Sequence, residues 1–217
     1  MSKEPMFNLR EKAPLILFTI LFILHILRIA APENFQDILR PWIYLFSLDI
    51  EGLSTPQRLI SLIGSGFVHV DFNHVIMNGF MIIAFGIVTI QAIRADIRIK
   101  PYILSPVQKF YIIFFVGVIG AGLFQWGWWS IDNSIAAAIG ASGGGSALFA
   151  TMAYAIGGRD RMLKFGLGWL VINLLLATVG AELGANIAWA GHIGGYVVGM
   201  IMARYWVRPS SANFKLN

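Results

Sequence analysis

What most constrains this chain is a series of long apolar runs with almost no charge inside them. Each approaches the ~20 residues, within a range of ~17 to 25, that a helix needs to cross a bilayer core. The runs cover 14–31, 72–93, 107–127, 142–158, 163–181 and 191–205. The fourth and sixth are short and rich in glycine, which predicts central helices screened from lipid. Composition points the same way. Of 217 residues, 57% are hydrophobic and 12% charged, about half of the ~25% charge that an ordinary soluble domain carries. Backbone polar groups inside a bilayer must be satisfied within the element itself, so the runs are predicted to be helices. The fold class expected is an all-α integral membrane protein. Arg28 and Pro32 beside the end of the first run argue against its removal as a signal peptide.

The basic residues sort by connection. Lys3, Arg10 and Lys12 precede the first run, and Arg94, Arg98, Lys100 and Lys109 surround the second connection. Arg159, Arg161 and Lys164 fill the fourth, and Arg204, Arg208 and Lys215 end the chain. Of the 16 lysines and arginines, only Arg28, Arg40 and Arg58 are left for the opposite side, among the acids Glu33, Asp37, Asp49, Glu51, Asp71, Asp132 and Glu182. Because cytoplasmic loops carry the Lys and Arg excess, both termini are expected in the cytoplasm with an even number of spans. The net charge of +5 is then a topology signal, and no nucleic-acid partner is expected. The expected organisation is a short tail at 1–13, one six-helix membrane domain at 14–205 and a second tail at 206–217. The first outer connection, from Pro32 to Val70, holds apolar stretches at 41–50 and 58–67 with Trp42 and Tyr44. It is expected to lie on or dip into the membrane surface, as packing ornament or as a functional element.

The chain has no cysteine, so thiol nucleophiles, disulfides and thiolate metal sites are excluded. Chemistry must come from polar groups inside the membrane, which are expensive and functional candidates by default. His25 stands alone on the first run and reads as structural or interfacial. His69 precedes the second run, where His74 and Asn78 share one helix face about 6 Å apart. From the basic end of their runs, Asn78 and His74 lie ~24 and ~30 Å away, Ser142 ~25 Å and His192 ~18 Å, at 1.5 Å per residue. A serine, two imidazoles and a carboxamide are thereby delivered to comparable depth in the outer half of the membrane.

Ser142 is embedded in Gly140, Ala141, Gly143, Gly144 and Gly145. Such a run at a helix start leaves unpaired N–H groups beside the hydroxyl, which suit an oxyanion. Gly191, Gly195 and Gly199 form a small-residue stripe that lets another helix approach closely, and His192 is beside it. If the Ser142 helix packs there, nucleophile and general base meet; the same glycines equally suit plain helix packing. The string from Gly140 to Gly144 also satisfies G-x-S-x-G, without the preceding strand and the acid that a soluble hydrolase elbow needs. An H-E-x-x-H metal motif is absent and the aspartates fall in loops or at span ends, so neither a metal nor an aspartyl mechanism is indicated. Polar groups form no path to the inner side, which disfavours a transporter or channel.

At these residues the chain resembles the rhomboid family of intramembrane serine proteases, over nearly its whole length. The carriers are Gly140-Ala141-Ser142-Gly143 on the fourth run, His192 with Gly194, Gly195 and Gly199 on the sixth, and His69, His74 and Asn78 around the second. The resemblance implies a six-transmembrane-helix rhomboid-like bundle with a membrane-associated first outer loop. Within it Ser142 and His192 form a catalytic dyad, and the Ser142 N–H, His74 and Asn78 surround the oxyanion. His69, Gly140 and Gly143 support the pocket, and no cofactor or metal is implied. Implied partners are single-span membrane proteins, cut near the outer face, and membrane lipids; the oligomeric state is open, and the location expected is a bacterial inner membrane. A noncatalytic rhomboid-like protein that binds transmembrane helices is the alternative. Two positions depart from the family pattern. Ser146 stands where many members carry an aromatic that packs on the catalytic imidazole, and Gln57-Arg58 stands for the Trp-Arg pair of the first loop, leaving loop anchoring by Arg58 open. The fifth run and the connection 182–190, with Asn186 and Trp189, are candidates for movement that admits a substrate.

Overall fold

The computed structural model describes residues 11–97, 103–182 and 187–209. Lys3, Arg10, Arg98, Lys100, Lys215, Asn186 and most of both expected tails lie outside the described residues. The elements in chain order are α1 (Lys12–Ala30), α2 (Glu33–Ile43), β1 (Leu45–Phe46), α3 (Thr55–Gly64), a 3-10 turn (Ser65–Phe67), α4 (Phe72–Ile97), α5 (Pro106–Asp132), β2 (Ala137–Ala138), α6 (Ser142–Glu182) and α7 (Trp189–Trp206). Helices α3 and α5 each start with a capping box, Ser54 with Gln57 and Ser105 with Gln108, followed by proline in the first turn. This Ser-x-x-Gln pattern satisfies backbone donors at both helix starts reciprocally.

Among the described residues, four helices are long and apolar enough to cross a membrane: α1, α4, α5 and α6. The architecture is a multi-pass, all-α membrane bundle. The runs expected at 142–158 and 163–181 are parts of one element, α6, which breaks at Gly157 and Gly158. Gly158 has φ 66° and ψ −157°, a region essentially reserved for glycine. There the chain folds back on itself. The Phe149 ring lies 5.8 Å from Phe165 and 5.3 Å from Trp169, whereas residues 149 and 169 of an unbroken helix would stand ~30 Å apart.

Contacts at the two ends show that successive helical segments alternate in direction. At one end Arg94 of α4 forks onto Glu11 beside the start of α1 through two hydrogen bonds of 3.0 Å. Lys109 of α5 stands 5.8 Å above the Trp206 ring at the end of α7. At the other end Arg28 of α1 donates to the His69 carbonyl at 2.8 Å, just before α4, and Gln125 of α5 accepts from the Gly191 N–H at the start of α7 at 2.9 Å.

The first segment of α6 and the glycine-bearing part of α7 pack in the middle of the bundle, as their glycine content predicts. A Cβ at Gly195 would stand 2.9 Å from the Gly143 carbonyl carbon, one at Gly199 would stand 2.6 Å from Ala147 Cα, and one at Gly144 would stand 2.9 Å from the Phe114 carbonyl oxygen. Helices α5, α6 and α7 therefore touch backbone to backbone. Around them Leu17, Leu21, Val75, Ile82, Ile90, Phe110 and Leu148 close the core.

The connection between α1 and α4 is built rather than loose. Arg58 donates to the Ser47 carbonyl at 3.2 Å and to the Ile50 carbonyl at 2.6 Å, so it does tie the loop together, with Gln57 committed to the α3 cap. A feature without a sequence signal is the antiparallel pairing of β1 with β2, Leu45 opposite Ala138 and Phe46 opposite Ala137. This short ladder joins the loop to the segment that enters α6. Trp126 of α5 reinforces it by donating to the Phe46 carbonyl at 2.8 Å. His25 is buried edge-on against Phe72, ring centroids 4.9 Å apart, in keeping with a structural role.

Candidate active site

Ser142 is the first residue of α6, and its position follows from what holds the chain just before it. The Gly140 N–H donates to the Ser65 carbonyl at 2.8 Å, and the Ala141 N–H donates to His69 Nε2 at 3.4 Å. Gly140 has φ 128°, where a side chain would be strained. It would also be obstructed, since a Cβ there would lie 2.7 Å from His74 Nε2 and 3.8 Å from Ser142 Oγ. The glycine thus keeps open a small space between an imidazole nitrogen and the hydroxyl. The first i to i−4 bond of the helix runs from the Gly145 N–H to the Ala141 carbonyl at 3.0 Å. The N–H groups of Ser142, Gly143 and Gly144 have no intrahelical acceptor and sit at the positive end of the helix.

The backbone approach of α7 to α6 brings the two expected reactive groups together. His192 Nε2 is 2.7 Å from Ser142 Oγ, although 50 residues separate them. His192 Nδ1 meets Asn173 Oδ1 on the second segment of α6. Ser146 is buried and returns its hydroxyl to the Ser142 carbonyl at 2.8 Å. The ring near His192 is instead that of Trp169, at a centroid distance of 6.1 Å.

The other two histidines reach the site from the start of α4. Asp71 caps that helix, its Oδ1 accepting from the His74 N–H at 2.8 Å. His74 Nδ1 accepts from the Val70 N–H at 3.4 Å, so in a neutral ring the proton resides on Nε2, the nitrogen that faces Gly140. Asn78 is buried, and its Nδ2 donates to the His74 carbonyl at 2.8 Å. His69 is fully buried. Burial first, then the neighbouring His74, His25 and Arg28, push its pKa down to about 3. It therefore stays neutral and able to accept from Ala141.

A cavity of about 40 Å³ lies beside these groups, lined among others by Val118, Gln125, Gly140, Ser142, Gly143 and His192. That volume holds a water molecule or a small side chain. A wider cleft of about 450 Å³ shares Gln125 and Ala188 with it and extends past Trp128, Asp132 and Trp189. Among the described residues, no three His, Asp or Glu side chains are grouped to hold a metal ion.

A comparison with protein families matches residues 56–209, well over half of the chain, to the rhomboid domain. The chain belongs to the rhomboid family. A comparison with curated proteins finds no match. In this rhomboid the matched region runs from α3 through α7 and takes in all the residues expected at the site. Ser142, His192, His74, His69 and Gly140 are brought into one cluster, Asn78 stands one turn behind His74, and Gly143, Gly195 and Gly199 form the seam that lets α6 and α7 meet, whereas Gly191 faces Ala121 and Gln125 of α5.

Two residues of the rhomboid site were missed in the sequence, Asn173 and Gln125. Asn173 is the one carboxamide in the run 163–181, so the rule that flags polar groups inside a membrane applies to it as well as to Asn78. Nothing in its spacing ties it to Ser142. The tie comes from the α6 break, because Gly157 and Gly158 fall midway between 142 and 173 and the fold-back returns one to the level of the other.

Proposed function

We propose that this rhomboid is an intramembrane serine endopeptidase acting through a Ser142–His192 dyad. The observation that carries the reading is the 2.7 Å contact between Ser142 Oγ and His192 Nε2 at the N-terminus of a buried helix. His192 takes the hydroxyl proton as Oγ attacks a peptide carbonyl, and returns it to the leaving amine when the C–N bond breaks. Water then repeats the sequence on the acyl-enzyme and frees Ser142. The Ser142 N–H and the His74 Nε2–H flank the space at Gly140 and receive the oxyanion. Asn78 has a second amide hydrogen for the same purpose, beyond the one given to the His74 carbonyl. His69 holds the backbone at Ala141, and with it the nucleophile.

In this reading the membrane domain has six spans: α1, α4, α5, the two segments of α6, and α7. The end of the bundle bearing Lys12, Arg94, Lys109, Arg159, Arg161 and Arg204 is cytoplasmic by the positive-inside rule, which puts both termini inside and the dyad toward the outer face. Substrates are single-span membrane proteins whose helix unwinds near that face, and the 40 Å³ cavity accepts a small side chain.

The test is cleavage of a single-span substrate by protein reconstituted in vesicles, comparing wild type with Ser142→Ala and His192→Ala. Both variants are expected to lose at least ~10²-fold, the lower end of what a positioned base supplies. Unchanged cleavage by Ser142→Ala would sink the mechanism. Failure of a fluorophosphonate to label Ser142 in the wild type would favour a rhomboid-like helix binder instead.

A further inference from the structure

We propose that Asn173 is a positioning residue for the dyad, setting the tautomer and orientation of His192 from the second segment of α6; this rests on the protease reading above. To accept the Ser142 proton, His192 Nε2 must carry a lone pair, so in the neutral ring the proton sits on Nδ1. Nδ1 then needs an acceptor. Among the described residues, its one hydrogen-bond partner is Asn173 Oδ1.

The amide has only one chemically reasonable orientation. Asn173 Nδ2 donates to the Trp169 carbonyl at 2.8 Å, an oxygen that can only accept. Turning the amide over would face oxygen against oxygen on one side and N–H against the protonated Nδ1 on the other. Asn173 Oδ1 is therefore the acceptor that His192 Nδ1–H requires. The side chain is 1% exposed, so no solvent competes for it. Its neighbours Ile172, Leu174, Leu175 and Leu176 are apolar and exposed. A lone buried carboxamide there has its two polar ends engaged by His192 and Trp169.

The arrangement is a Ser–His–Asn relay rather than one with a carboxylate. A neutral amide fixes the ring and accepts from Nδ1–H but brings no charge to balance an imidazolium. The alternative is a hydrogen bond that only holds the helices together, and it makes different predictions.

The experiment compares Asn173→Leu and Asn173→Asp in the full-length reconstituted protein. Readouts are kcat and KM for a single-span substrate, the rate of fluorophosphonate labelling of Ser142, and the melting temperature. Asn173→Leu keeps the volume and loses the acceptor, and is expected to lower kcat and labelling together by about 10- to 100-fold, less than the ~10²–10⁴ lost with the general base itself, with KM unchanged. Asn173→Asp keeps an acceptor oxygen toward Nδ1 but loses the donor to the Trp169 carbonyl, and is expected to retain clearly more of both rates than Asn173→Leu. Wild-type labelling by Asn173→Leu, or a rate loss that follows the melting temperature, would overturn the proposal. Should either variant fail to fold, ¹⁵N NMR of His192 in the wild type decides: the Nδ1–H tautomer is expected, and an Nε2–H tautomer refutes it. A wild-type Ser142 that takes no label would bring down the protease reading itself, whereas a labelled wild type with an insensitive Asn173→Leu removes only the role of Asn173.

Discussion

The two segments of α6 are separate helices joined at Gly157 and Gly158, and they meet opposite environments. Before the break, Ala147, Leu148, Ala150 and Ala153 are each 0% exposed, and glycines let the segment touch α5 and α7 through the backbone. After the break, Leu167 is 64% and Leu175 58% exposed, and the outward stretch from Val171 to Leu176 is aliphatic apart from the buried Asn173. In water such a face would be a liability, but lipid tails are as apolar as leucine, so burying it among other helices brings little gain. What distinguishes the inner segment of α6 from the outer one is residue size rather than polarity. Small residues allow close backbone approach and mark the centre, where Ser142 and His192 sit. Large aliphatics stand outward on the second segment, and among the described residues Asn173 is its one buried polar residue.

The contrast can be broken most severely at the glycine seam. In Gly195→Leu the new Cβ meets the Gly143 backbone, with the carbonyl carbon at 2.9 Å and Cα at 3.0 Å, and a main chain cannot rotate away. Thermal unfolding in detergent should show a loss of about 3 kcal/mol, the upper end of overpacking penalties. Cleavage should disappear as well, because α7 must withdraw His192 from Ser142. A variant of wild-type stability would mean that the seam has room to give.

A smaller effect is expected at the boundary between the segments. Gly158→Ala places a side chain at φ 66°, ψ −157° with Pro209 as its neighbour at 3.6 Å. Space is adequate, so the cost is backbone strain of ~1–3 kcal/mol, visible as a lower melting temperature. An unchanged melting temperature would show that the fold-back is set by side-chain packing, Phe149 on Trp169 above all, and not by the glycine.

The least effect belongs to the outer face. Leu175→Ala should stay within ~0.5 kcal/mol of wild type, as surface substitutions do, with cleavage unaltered. A larger loss of stability would identify that face as an interface between protein chains.

The sequence showed some of the site with little ambiguity and left other parts hidden. His74 and Asn78 share a face by helical period alone, and Gly195 and Gly199 announce a close helix approach through their four-residue spacing. Those signals are local, since they depend on 3.6 residues per turn and on the absence of a Cβ. Arg58 was harder, because its task is to bind the carbonyls of Ser47 and Ile50, and backbone acceptors leave no trace in the residue types around them. The β1–β2 pair was invisible for the same reason, with only Leu45, Phe46, Ala137 and Ala138 to mark it. Asn173 stood in plain view as a buried-type polar residue in an apolar run, but its partner lies on another helix.

The sequence by itself determined the membrane class and the long apolar helices, and set an expected common depth for Ser142, His74, Asn78 and His192. Each of these follows from run length, rise per residue and side-chain polarity, which need no knowledge of neighbours. Only the tertiary structure decided that Ser142 Oγ meets His192 Nε2, that His74 Nε2 faces the gap at Gly140, and that Asn173 holds the far side of the imidazole. Those outcomes depend on how the helices pair and on where α6 turns back. Such choices are set by shape complementarity among many small contacts, and no single stretch of chain encodes them.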